Sequence, residues 1–176
     1  MPDCRSHLDR IPYRLTIVRH AKSDWGEFTT PDWDRPLNDR GQRDAPVMGK
    51  RMKERGDAPD LIICSPALRA HTTAKLLAGG LSYPLEKLQL EKKIYEAPVS
   101  ALLEVIQSCP DSVSHLMMVG HNPGSEQLVQ YLTGEPFSDF VTCAVADVAL
   151  DVSAWSSVGP ATGKLLSYWY PKMFSE

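Results

Sequence analysis

The stretch Leu15-Thr16-Ile17-Val18-Arg19-His20-Ala21-Lys22-Ser23-Asp24-Trp25 begins apolar and β-branched and turns polar at once. So short a run, with Thr16, Ile17 and Val18 all β-branched, predicts a buried strand rather than a helix. The strand should stop where Arg19 and His20 stand side by side. In an open α/β sheet, ligands bind in the crevice beyond the carboxyl ends of the strands. A guanidinium offers a fixed fork of donors suited to phosphate oxygens. A neutral imidazole can attack phosphorus or move a proton. Taken alone, the pair is a weak signal and more often marks a strand end with a solvated arginine and a hydrogen-bonded histidine.

Two further runs behave in the same way. Leu61–Cys64 reads as a strand followed by Ser65-Pro66, taken as N-cap and first residue of a helix with Arg69 one turn in. Leu116–Val119 reads as a strand followed by Gly120-His121-Asn122-Pro123. Between them a helix starts near Asp39, or near Ala45 if Pro46 is its opening, and stops at Gly56. The helix after Ser65 should stop at Gly79-Gly80. Leu88–Glu91 is a short strand, Val99–Gln107 an amphipathic helix, and Ser125–Leu132 another helix. Phe140–Val152 and Leu165–Tyr170 read as two strands close enough to form an antiparallel pair at a sheet edge. Repeated strand, polar loop and helix predicts a three-layer α/β fold: a mostly parallel sheet with helices on both faces and an antiparallel edge strand. Residues 1–14 read as a polar leader and 15–176 as one domain.

Composition narrows the function. The 176 residues are 43% hydrophobic and 23% charged, with a formal net charge of -3. That suits one globular domain without a general basic field for nucleic acid. No run approaches a membrane span, and the first ten residues lack the apolar stretch of a signal peptide, so a cytoplasmic protein is expected. Cys4, Cys64, Cys109 and Cys143 form no C-x-x-C pair, which suggests neither zinc nor a disulfide framework. Cys64 and Cys143 read as core residues of apolar strands. If the three polar-ended strands are parallel, one rim gathers two arginines and two histidines, with no carboxylate set placed for a metal. Such a rim suits a phosphoryl group held without Mg²⁺.

Four motifs, in order, carry a resemblance: Val18-Arg19-His20-Ala21-Lys22-Ser23; Asp34-Arg35-Pro36-Leu37-Asn38 with Arg40-Gly41; Ser65-Pro66 with Arg69-Ala70 and Thr73-Ala74; and Val119-Gly120-His121-Asn122-Pro123. The chain resembles the histidine phosphatase (phosphoglycerate mutase-like) superfamily, and within it the phosphohistidine phosphatases of the SixA type. The resemblance implies that His20 is the nucleophile that becomes transiently phosphorylated. It implies that Arg19 and Arg69 bind phosphate, and that His121 holds phosphate and stabilises the transition state. Ala21 stands where the wider superfamily has glycine, as in SixA-type members. Glu96 is the candidate general acid, although no local motif marks it and it also reads as a surface residue. Ser23 and Lys22 either touch phosphate or cap the loop. Trp25 and Trp33 either form the pocket lip or pack the loop. Asp34 and Arg35 should tie that loop down, and His71 and His115 read as structural or exposed.

The function expected is a phosphatase that needs no metal or other cofactor and removes phosphate from phosphohistidine on a protein. Two alternatives stand beside it: a phosphatase of small phosphoesters such as sugar or nucleotide phosphates, and a phosphate-binding module without turnover. The expected partner is a phosphorylated protein or small phosphorylated substrate, with no nucleic acid or membrane, and the protein is expected to be a monomer.

Overall fold

The structure, a computed structural model, describes residues 13–27 and 29–175. Six strands form one sheet in the order β3-β2-β4-β1-β5-β6. They are β1 (Tyr13–Arg19), β2 (Leu61–Cys64), β3 (Gln89–Leu90), β4 (His115–Gly120), β5 (Val145–Leu150) and β6 (Gly163–Trp169). The first four run parallel, while β5 is antiparallel to β1 and β6 antiparallel to β5. The strand thus begins at Tyr13, two residues into the stretch assigned to a leader, and the remainder of that leader lies outside the described residues.

Alternation along the strands divides the core in two, because successive side chains point to opposite faces. Val18, Ile62, Cys64, Met117 and Val119 pack against α1 (Asp39–Glu54) and α2 (Leu68–Leu81). Leu15, Ile17, Leu116 and Met118 pack against α3 (Val99–Gln107) and α4 (Gly124–Thr133). The fold is therefore the three-layer α/β sandwich read from the sequence, with both antiparallel strands on one side of β1.

Local chemistry sets the helix boundaries. Asn38 caps α1 by accepting from Gly41 N at 2.9 Å, so the helix starts at Asp39 and carries Pro46 inside it. It ends before Gly56, whose φ of +74° suits glycine. Helix α2 does not stop at Gly79-Gly80. It runs on to Leu81, and Ser82 ends it in the left-handed region at φ 58°. Gly80 answers to packing instead: a Cβ there would lie 2.7 Å from both Lys50 N and Pro46 O of α1. Ser65-Pro66 does not cap α2 either. Ala67 is the residue before the helix, and the Ser65 hydroxyl is engaged elsewhere.

Residues 140–144 look like strand in sequence and are not. Asp139 and Cys143 adopt positive φ, and the backbone here bonds to the end of β1 instead of continuing a ladder. Cys143 N donates to the carbonyls of Arg19 and His20, both at 3.1 Å. Cys143 is fully buried, in this turn rather than in a strand. No helix among the described residues is long and apolar enough to cross a membrane.

Candidate active site

Strand register brings the polar ends together. Val18 and Cys64 both pair with Val119, and Arg19 pairs with Gly120. The residues that follow, His20, Ser65 and His121, therefore emerge on one rim. A pocket of about 250 Å³ opens there, lined by Arg19, His20, Ser23, Arg69, Glu96 and His121, together with Lys22, Trp25, Arg35, Asn122 and Thr142. All six residues singled out from the sequence meet in it.

His20 lies at the floor, 8% exposed. Its Nδ1 is 2.8 Å from the carbonyl oxygen of Ala21. A carbonyl only accepts, so Nδ1 carries the ring proton and Nε2 keeps a free lone pair. Burial lowers the pKa of this imidazole to about 3. The Ala21 bond opposes that shift, while His121, Arg69 and Arg19 add to it. The His121 ring packs against it with centroids 5.2 Å apart, and burial followed by Arg69 lowers that imidazole to about 4. His121 Nε2 lies 2.8 Å from Ser65 Oγ, which also accepts from Ala67 N at 3.3 Å. His121 Nδ1, Arg19 Nε and Asn122 Oδ1 are buried without a protein partner. Orphaned buried polar groups are uncommon and call for an explanation. Three around one small pocket suit a polar ligand.

The arginines come from different elements. Arg19 ends β1 and donates from Nη1 to Phe140 O at 2.9 Å, and Asn122 Nδ2 donates to the same carbonyl at 3.0 Å. The turn at 139–144 is thus the wall that aims both side chains. Arg69 sits in the first turn of α2, 5% exposed. It donates to Asp32 twice, from Nη1 to the main-chain oxygen at 2.6 Å and from Nη2 to Oδ2 at 3.0 Å. Tyr95 donates to the same Oδ2 at 2.5 Å. Its hydroxyl, followed by Arg35 and Arg69, holds Asp32 at about 2, and in return Asp32 pushes Tyr95 to about 12. The Tyr95 ring stands edge-on to both Trp33 and His121.

Asp32 is the residue that sequence reading missed. Asp34 was expected to hold the loop with Arg35. Instead Arg35 Nη1 pairs with Asp32 Oδ1 at 2.9 Å. Arg35 also donates from Nε to Asp24 O and from Nη2 to Ser23 Oγ, and its guanidinium lies 4.3 Å from the centre of the Trp25 ring. The Ser23 hydroxyl therefore accepts from Arg35 and keeps its own proton free to donate. Glu96 lines the pocket from an exposed position, with its backbone in the left-handed region at φ 47°. Gly41 explains its motif: a Cβ there would fall 2.2 Å from Lys22 O, so only glycine lets α1 press against the loop that carries Lys22.

Comparison with known proteins gives the family and the fold. The model of the histidine phosphatase superfamily (branch 1) matches residues 15–102. The chain belongs to the histidine phosphatase superfamily. An uncharacterised protein of Mycobacterium tuberculosis is 29% identical over 165 residues, 88% of this chain and 100% of the relative. A solved structure, provisionally designated the phosphohistidine phosphatase SixA of Agrobacterium tumefaciens, is 26% identical. It superposes over 91% of this chain and 99% of its own length with a TM-score of 0.78. The protein histidine phosphatase SixA complexed with tungstate shares the fold at a TM-score of 0.80, with 23% identity over 92% of this chain and 99% of that one. This histidine phosphatase superfamily member therefore resembles SixA proteins along nearly all of their length.

Proposed function

We propose that the protein is a phosphatase that works through a phosphohistidine intermediate on His20 and removes phosphate from phosphohistidine on a protein, in the cytosol and without a cofactor. One observation carries this reading. His20 is neutral and is held by Ala21 O in the tautomer whose Nε2 is free to attack, among three groups suited to phosphoryl oxygens.

In the first step His20 Nε2 attacks phosphorus in line with the bond to the leaving imidazole. Arg19 and Arg69 spread the charge of the equatorial oxygens. Ser65 Oγ, which accepts from Ala67 N, gives its own proton to His121 Nε2 in this reading, and the His121 ring proton then sits on Nδ1, the atom without a protein partner. That N–H donates to a phosphoryl oxygen, and Ser23 Oγ donates to another. The departing imidazole nitrogen takes a proton from Glu96 or from water. Water then attacks phosphorus of phospho-His20, and His20 is restored as phosphate leaves. The pocket over His20, about 250 Å³, holds the phosphoryl group and leaves the rest of the substrate beyond it.

The test is phosphate release, in EDTA, from a phosphohistidine-bearing protein and from a panel of small phosphoesters. The wild type is expected to act preferentially on phosphohistidine, and His20→Ala to lose at least about a thousandfold in rate while remaining folded. Full activity in His20→Ala would sink the assignment. Release mainly from esters would move the substrate to small metabolites.

A further inference from the structure

Beside the pocket over His20 lies a second one of about 300 Å³, and the two share Arg19, Lys22 and Thr142. Its outer wall is Arg40 from the first turn of α1, with Tyr170 and Lys172 from the segment after β6. Among the described residues four cations line it and no carboxylate does. Such a concentration stands out in a chain whose formal charge is -3. Among the described residues, the only carboxylate paired with any of the four is Asp44, whose Oδ2 is 3.4 Å from Arg40 Nε. Like charges gathered in one concavity repel each other and raise the local potential, which an incoming anion relieves.

The transferred phosphoryl group accounts for Arg19 but not for Arg40 and Lys172, which line only the second pocket. We propose that the second pocket receives another anionic group of the same substrate, next to the phosphoryl group that His20 attacks. This rests on the reading of the first pocket as the phosphoryl site. On a phosphoprotein the group is an Asp or Glu side chain close to the phosphohistidine, whose methylene stem lies against Val141 and Tyr170. On a small phosphoester the same cations would take a second phosphate. The shared Arg19 and Lys22 couple the two sites, so the second anion raises affinity and fixes orientation together.

Arg40→Glu with Lys172→Glu tests this, since neither residue lines the pocket over His20. A phosphohistidine peptide flanked by Glu is compared with the same peptide flanked by Gln, and a sugar bisphosphate with the monophosphate. The wild type should favour the Glu peptide about tenfold in kcat/KM, through KM, and high salt should shrink the difference. The double variant should lose the preference while turning over the Gln peptide as the wild type does. A bisphosphate preference that the variant loses would support the same subsite with phosphate as its occupant. Equal use of each pair by the wild type, or a preference that survives in the variant, overturns the proposal. If nothing is turned over, the phosphatase reading fails separately, and binding of the two peptides decides: a Glu preference lost in the variant supports the subsite, and equal affinities overturn it.

Discussion

Strand β1 carries an arginine near each end and has a histidine beside each, yet the two ends differ. Near its start Arg14 pairs with Asp57 at 2.9 Å and with Asp147 at 3.1 Å. Asp147 also accepts from Thr16 and Ser167, and Thr16 Oγ1 lies 2.7 Å from His115 Nε2. Asp57 takes a second arginine, Arg55, at 2.8 Å. Apart from Arg14 Nε, every charge there has its counter-charge within the protein. At the finish Arg69 pairs with Asp32, but among the described residues Arg19 has no carboxylate partner, and the Glu96 that lines the pocket is exposed. Residue types alone therefore do not separate a structural cluster from a reactive one. The separation lies in whether the cluster is electrically complete. His115 belongs to the complete end, although it begins the same strand, β4, that ends beside His121.

Breaking the complete end should cost stability and spare chemistry. Asp147 is 1% exposed, and Asp147→Ala takes the carboxylate acceptor from the buried Thr16 hydroxyl and the half-buried Ser167 hydroxyl and leaves Arg14 with Asp57 as its ion-pair partner. A loss of about 3 kcal/mol is expected in denaturant unfolding, with kcat of the folded fraction unchanged. Breaking the incomplete end should do the reverse. Arg69→Ala should lower kcat by about a hundredfold or more and leave the denaturation midpoint near that of the wild type. Asp32→Asn, which keeps the arginine but loosens it, should lower kcat/KM by about tenfold. If Arg69→Ala unfolds the protein instead, its guanidinium is structural and the contrast fails.

Acid sharpens the comparison more gently. Against an unfolded value of about 6.5, the folded values of about 3 for His20 and about 4 for His121 mean that the unfolded chain binds more protons between these limits. Stability is therefore full above about pH 6.5 and is lost as pH falls through that window. The slope is at most about 1.4 kcal/mol per pH unit for each histidine. Unfolding free energies measured from neutral to mildly acidic pH check this. His20→Ala should flatten the slope, and an unchanged slope would mean that burial does not suppress this histidine's charge.

Much of the site was legible because its signals are local. A strand end, the residues just after it and a motif order can be read without knowing the partner elements, and so His20, Arg19, Arg69 and His121 were placed together. Asp32 was not legible. It lies in a loop without periodicity, and its partner Arg69 is 37 positions away, on another element. The turn at 139–144 was misread for a related reason. Its apolar, β-branched composition is that of a strand, but its backbone donors and acceptors go to Arg19, His20 and Asn122. Only the folded arrangement shows that competition.

The close approach of α1 and α2 at Gly80 has a consequence for anyone wishing to harden this protein. Replacing an internal helix glycine by alanine is a standard route to stability, because it removes backbone freedom from the unfolded chain. Here the two adjacent glycines of α2 should answer in opposite ways. Nothing lies within 4 Å of a Cβ at position 79, so Gly79→Ala should stabilise by about 0.5–1 kcal/mol, read as a higher melting temperature. One residue on, the same change forces a methyl group into the backbone of α1 and should loosen the packing of the whole helical face. A thermostable descendant of this chain can therefore change at 79 and has to keep its glycine at 80.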